Sequence, residues 1–247
     1  GFRLLEPTVQ YYPFRGGQGL LIAMPSGRKK ADLDLFVSIR QCDGRYGAPV
    51  HLGTRVNTRG HDYAPFLAPD GQTLYFTTDG PRHHARRSRL YKAQRLDSTW
   101  QNWSEPEWLP SNRPPQEWVH DAYPHVAPDG QTLYFASTRT RGRDFDLFTY
   151  TLPPEARPKP YTQWCFRLME KSVMRPLPNH PVRVGTDTLC TDDHSELWLS
   201  LPLTACQSAV MVEPQGYLPT HVSLPTVPHS LQCRVRPFTV LVVEPQP

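Results

Sequence analysis

The sequence has no apolar run approaching the roughly 20 residues that a membrane-spanning helix requires, and no convincing amphipathic helical pattern. It is therefore not expected to cross a membrane by a helix. Glycine is sparse, 15 residues against 28 prolines, and the prolines are scattered rather than gathered in one tract. An interior proline costs a helix about 3 kcal/mol, so this usage argues against helices and leaves an all-β chain. The net charge is only +4 over 247 residues, which excludes the bulk basicity of many nucleic-acid-binding domains. No Gly-x-Ser-x-Gly elbow, His-Glu-x-x-His pair or phosphate loop is present. The ten histidines are dispersed; the adjacent His83-His84 is a poor geometry for one metal and reads as loop surface. The expectation is a protein that is not an enzyme and takes no cofactor and no metal. The chain begins at Gly1 without a methionine or signal peptide, so either a leader has been removed or the sequence is part of something longer.

What the chain does contain is a repeat. Ala-Pro-Asp-Gly-Gln-Thr-Leu-Tyr-Phe occurs identically at 68–76 and 127–135. Pro69 and Pro128 preset the first corner of a tight turn, Asp70 and Asp129 bond their own backbone, and Gly71 and Gly130 tolerate positive φ. The β-branched and aromatic residues that follow form a strand entered from the turn. A degenerate earlier copy starts at Tyr12-Pro-Phe, with Arg15-Gly-Gly-Gln-Gly19 in the turn position. Each unit adds Asp32-Leu-Asp-Leu-Phe36, Ser88-Arg-Leu-Tyr91 or Asp144-Phe-Asp-Leu-Phe148 as a third strand, and residues 1–10 read like the tail of a preceding repeat. Four strands in about 50 residues is the format of a β-propeller blade.

The Tyr-x-Pro…Ala-Pro-Asp-Gly-x-Thr-Leu-Tyr-Phe pattern, the Trp103-Ser-Glu-Pro106 lead-in and the Asp-Leu-Phe close resemble the PD40, or TolB-type, propeller repeat. The junction Leu152-Pro-Pro-Glu-Ala-Arg-Pro-Lys-Pro160 resembles the step from propeller to carboxypeptidase-regulatory-like domain in OmpA-family envelope proteins of the Bacteroidota. After it, Pro176-Leu-Pro-Asn-His-Pro-Val-Arg-Val184, Thr191-Asp-Asp-His-Ser-Glu-Leu-Trp-Leu-Ser-Leu-Pro202 and Gly216-Tyr-Leu-Pro219 resemble segments of that second domain, although the family's glycine is replaced around His194-Ser195. The resemblance implies a partial propeller over 1–152 (about three blades), a proline-rich linker over 153–160 and a small transthyretin-like β-sandwich over 161–247. It also implies a periplasmic, outer-membrane-associated scaffold whose partners are other envelope proteins, with some relatives serving type IX secretion or gliding. The peptidoglycan-binding OmpA-like domain that commonly follows is absent from this sequence. A glycan- or peptidoglycan-binding module and an accessory piece of a propeller-capped peptidase are the alternatives.

Three basic clusters fall at the same place in the repeat: Arg28-Lys29-Lys30; Arg82, Arg86, Arg87 and Arg89; and Arg139, Arg141 and Arg143. Residues 158–247 carry seven basic and seven acidic side chains, so the whole excess lies before them. In a propeller these loops share one face, which would steer an acidic partner; the bland alternative is solvated loop. Nucleic acid is not expected, because no stacking platform accompanies the arginines. The carboxylate pairs Asp32/Asp34 and Asp144/Asp146 suggest calcium less readily than structural hydrogen bonding. Tyr75, Phe76, Tyr134, Phe135, Phe36, Phe148 and Trp103 are expected in the core, while Trp100, Trp108 and Trp118 are candidates for exposure. Cys165, Cys190, Cys206 and Cys233 form an even set compatible with two disulfides or with reduced core thiols, and Cys42 is expected to be unpaired.

Overall fold

A computed structural model describes residues 9–26, 32–80, 88–109, 120–138, 145–185, 187–202, 209–223 and 238–246. The described chain is all-β, a set of small, mainly antiparallel sheets with no closed barrel among the described residues. It divides into two compact units, and the division is not a single cut. The first unit comprises 1–13, 20–38 and 49–158; the second comprises 14–19, 39–48 and 159–247. Two short segments of the first repeat thus belong with the C-terminal unit, where the sequence suggested one continuous boundary.

The first unit contains three sheets in which spatial order follows chain order. Sheet 1 is β1 (Gln10–Phe14), β2 (Gly19–Pro25), β3 (Leu33–Ile39) and β4 (Val50–His51). Sheet 2 is β5 (Asp62–Leu67), β6 (Thr73–Thr78), β7 (Arg89–Gln94) and β8 (Glu107–Trp108). Sheet 3 is β9 (Asp121–Val126), β10 (Thr132–Thr138) and β11 (Phe145–Thr151).

The two identical cores build identical turns. Asp70 Oδ1 accepts from the backbone N–H of Gln72 (2.9 Å) and Thr73 (2.8 Å), and Oδ2 accepts from Thr73 Oγ1 at 2.6 Å. Asp129 accepts from Gln131 N, Thr132 N and Thr132 Oγ1 at 2.8, 2.9 and 2.7 Å. Gly71 and Gly130 stand at φ 71° and 69°, where any side chain costs roughly 1–2 kcal/mol. The turn delivers strands that pair Leu67 with Leu74 in sheet 2 and Val126 with Leu133 in sheet 3. One apolar cluster then takes Ala68, Tyr75 and Leu90 from sheet 2 together with Val126, Leu133 and Phe135 from sheet 3.

The proline-rich segment differs from the extended linker expected of it. Pro154–Ala156 forms a short 3-10 turn whose Ala156 is buried in that same cluster. Tyr75 Oη donates to Ala156 O and the buried Lys92 Nζ donates to Glu155 O, both at 2.6 Å. Proline supplies the turn's fixed φ, and the two side-chain donors fasten its carbonyls to sheet 2.

The second unit has two four-stranded sheets. In one, β12 (Tyr161–Glu170) lies between β19 (Phe238–Val243), parallel to it, and the antiparallel β13 (Arg175–Pro176) and β16 (Glu196–Pro202). The other runs β15 (Asp187–Cys190), β14 (Pro181–Val184), β17 (Ala209–Pro214), β18 (Thr220–Ser223). Period-2 alternation puts Trp164, Phe166 and Leu168 of β12 and Leu197 and Leu199 of β16 into one core with Val182, Leu189, Val212 and Val222 of the second sheet. At the turn where a glycine was expected from the resemblance, Ser195 itself adopts φ 66°, and Asp192 Oδ1 accepts from the N–H of His194 and Glu196.

The segments 14–19 and 39–48 complete this unit by specific bonds. Arg15 Nη1 pairs with Asp187 Oδ2 at 3.4 Å. Gly16 lies flat against Trp198, where a Cβ would meet the indole at 3.3 Å. Arg40 reaches Asn179 Oδ1 (3.1 Å), Thr191 O (3.3 Å) and Asp193 Oδ1 (3.6 Å). Next to it Cys42 forms a disulfide with Cys190, with Cα atoms 5.2 Å apart.

Candidate interaction surfaces

Counting back from the shared core, His61-Asp62 and His120-Asp121 are equivalent and open the first strand of sheets 2 and 3. Both aspartates are buried. Asp62 accepts from Thr58 N (2.5 Å) and Thr58 Oγ1 (3.0 Å). Burial pushes its carboxyl up to about 7, with bonds from Thr78 and Thr58 opposing the rise and the charge of Asp34 adding to it. Asp34 is held in turn by His51 Nε2 at 3.1 Å. Asp121 instead accepts from Ser137 Oγ at 2.6 Å and faces Arg89 Nη1 at 3.5 Å. The equivalent of Arg89 in sheet 1 is Asp34, so one carboxylate meets a cation and the other meets a like charge. These groups fasten strands together inside the unit, and the three carboxylates are buried.

The first strand of each sheet in the first unit carries a tyrosine: Tyr12 on β1, Tyr63 on β5 and Tyr123 on β9. The rings of Tyr63 and Tyr123 meet edge to face with centroids 6.2 Å apart. Burial, with the nearby charge of Tyr123, pushes the Tyr12 phenol up to about 12; Tyr63 is raised by burial, then by Tyr123, Asp79 and Tyr12. Tyr12 Oη donates to Gln10 Oε1 and Tyr63 Oη to Ser88 Oγ, each at 2.8 Å. Tyr123 has φ 58°, as its repeat equivalent Ala64 has φ 48°. Ala64 is buried, but the Tyr123 side chain is 46 % exposed. In the sequence these tyrosines stand out only as residues near the head of each repeat.

A second feature is the outer face of sheet 3. The equivalent positions Leu21, Tyr75 and Tyr134 are 1 %, 0 % and 38 % exposed; Leu35, Leu90 and Leu147 are 0 %, 2 % and 73 %. Phe145 on the same face of β11 is also exposed. The register pairs Ala136 with Leu147 and Thr138 with Phe145, so these side chains share one side of the sheet. The face that is closed in two sheets is open in the third.

Of the basic residues, Arg28, Lys29, Lys30, Arg82, Arg86, Arg87, Arg139, Arg141 and Arg143 lie outside the described residues. Arg89 is described and is paired with Asp121. The topology does show that all three basic segments join the second and third strands of their sheets. Phe76, Phe135, Trp103 and Tyr75 are buried, while Tyr134 is open, for the reason given above. Trp100, a candidate for exposure, is instead buried against Trp103, whose Nε1 donates to its carbonyl at 2.7 Å; Trp108 is exposed and Trp118 is outside the described residues.

The cysteine expectation is corrected. Cys42 is bonded to Cys190, and Cys165 is a buried free thiol whose Sγ lies 3.6 Å from Glu196 Oε2. The pairing follows from segment 39–48 lying in the second unit, which brings Cys42 to Cys190. Cys206 and Cys233 are outside the described residues. Among the described residues no three His, Cys, Asp or Glu side chains gather as a metal site, and no helix is long and apolar enough to cross a membrane. No protein-family model matches this chain, and no curated protein matches it.

Proposed function

We propose that this protein is a non-catalytic scaffold that docks other proteins, built as a partial PD40-type propeller with a transthyretin-like β-sandwich and acting in the periplasm at the outer membrane. The observation carrying this reading is the open outer face of sheet 3. Tyr134, Leu147 and Phe145 stand exposed where the equivalent positions of the other two sheets are covered. Burying a leucine side chain contributes about 1.5–3 kcal/mol, so an uncovered face of this kind favours association. The Cys42–Cys190 disulfide supports an oxidising compartment. The repeat pattern and the second-domain segments support an envelope complex, with type IX secretion or gliding machinery as the specific setting.

The test places a photo-crosslinking residue at Leu147 in intact envelopes, beside a control at the exposed Val173 in the other unit. A discrete protein adduct formed from 147 alone, and lost on Tyr134→Asp, is the expected result. Equal labelling from both positions, or none from 147, would refute the docking role.

A further inference from the structure

We propose that sheet 3 is completed in trans: the outer edge of β11 takes up an extended segment of a partner protein, of the form proline–any residue–histidine–leucine, as its fourth strand. This rests on the docking role of sheet 3 and gives the partner's chemistry. Sheets 1 and 2 each close with a short fourth strand, β4 and β8, paired to the third. In sheet 3, among the described residues, no strand lies on the corresponding side of β11. The chain that follows does not supply one, because Pro154–Ala156 is fastened to sheet 2 and Tyr161 already opens β12. β11 runs seven residues in unbroken register with β10. It carries neither the lysine nor the proline that commonly protects an exposed edge.

The two complete sheets show what the third would hold. Their covering segments are Pro49-Val50-His51-Leu52 and Pro106-Glu107-Trp108-Leu109. Leu52 N donates to Leu35 O and Leu109 N to Leu90 O, each at 3.0 Å. Leu35 also turns its N–H to that side, donating to Asn57 Oδ1 at 2.7 Å. Leu147 holds the equivalent position, so its N–H and C=O face the edge, and main-chain bonds of this kind give strand addition its affinity. The covering leucines are buried, whereas Leu147 is 73 % exposed. Sheet 1 is the nearest guide to the partner, since Asp34-Leu35-Phe36 and Asp146-Leu147-Phe148 are the same tripeptide at equivalent positions. In sheet 1, His51 Nε2 bonds Asp34 Oδ2 at 3.1 Å, and its ring meets Phe36 edge to face with centroids 5.1 Å apart. Asp146 is exposed, so a histidine on an incoming strand finds the same carboxylate and ring, with charge complementarity once it is protonated. Sheet 2 has Arg89 and Tyr91 at those positions, and there the covering residue is Trp108 instead.

The experiment titrates the full chain, by fluorescence anisotropy, with a labelled peptide that has the sequence of residues 46–54. Beside it run the same peptide with its leucine N-methylated, which removes the N–H aimed at Leu147 O, and one with its histidine replaced by glutamate, which repels Asp146. The expected result is saturable binding, weakened at least tenfold by either change and by Leu147→Glu in the protein, with slowed amide exchange at Leu147. The thermal stability of Leu147→Glu should hold, because that side chain is exposed. No saturable binding, N-methylation without effect, binding indifferent to Leu147→Glu, or self-association of the chain that Leu147→Glu abolishes would each overturn the proposal. Crosslinking from position 147 separates the two readings: an adduct without peptide binding leaves docking standing and removes strand addition alone, whereas no adduct removes both.

Discussion

Asp62 makes the most quantitative prediction. Its carboxyl is fully buried beside Asp34 and has its pKa raised from 3.8 to about 7, first by burial. The unfolded chain releases this proton near pH 4, whereas the folded chain keeps it to about 7. Between those values the native state binds more protons than the unfolded state, so stability falls as pH rises. The contribution is fully present below about pH 4 and lost once pH passes about 7. Three pKa units correspond to about 4 kcal/mol, a large part of a domain's usual 5–15 kcal/mol. Asp62→Asn keeps the shape and an acceptor for Thr58 but removes the ionisation. Urea unfolding of wild type and variant should be compared at half-unit steps from pH 4 to 8. The stability difference should shift progressively in favour of the variant across this window, by several kcal/mol in total, and level off above about pH 7. A difference that stays constant with pH would show that Asp62 is not held protonated, and the like-charge argument would fail.

Three further predictions concern the second unit. Cys42→Ser opens a crosslink between residues 148 apart in sequence, which in the chain-entropy model is worth about 5 kcal/mol; a large drop in Tm is expected, matched by wild type under reductant. Native peptide mapping should find the Cys42–Cys190 linkage, and a Cys165 that resists alkylation until unfolding because burial pushes its thiol up to about 12. An unchanged Tm, or a labelled Cys165 in the folded protein, would contradict the structure. Ser195→Gly should stabilise by up to about 1 kcal/mol in thermal unfolding, since Ser195 sits at φ 66° and its buried Oγ has no hydrogen-bond partner among the described residues. Destabilisation would mean that the hydroxyl has a role the geometry does not show.

The all-β character and the turns were legible because they are local. Pro69-Asp70-Gly71 and Pro128-Asp129-Gly130 carry their instructions within three residues, and Thr73–Thr78 and Thr132–Thr138 follow in strand chemistry. The repeat likewise marked the three sheets of the first unit, since like sequences build like hairpins. The cysteine pairing was not legible. Cys165, Cys190, Cys206 and Cys233 look like one set along the chain, but distance along the chain says nothing about which inserted segment arrives beside which strand. Arg40, anchored on Asn179, Thr191 and Asp193, is what places Cys42 at Cys190.

The candidate sites divide in the same way. Sequence alone determined that Tyr75 and Tyr134, or Leu90 and Leu147, are equivalent residues in equivalent strands. Only the tertiary structure decided that one of each pair is covered and the other open, because burial depends on whether a neighbouring sheet lies against that face. Composition and periodicity act within a strand, whereas the edge-to-face meeting of Tyr63 and Tyr123, the opposition of Asp34 to Asp62, and the fastening of Pro154–Ala156 by Tyr75 and Lys92 are through-space events between strands remote in sequence.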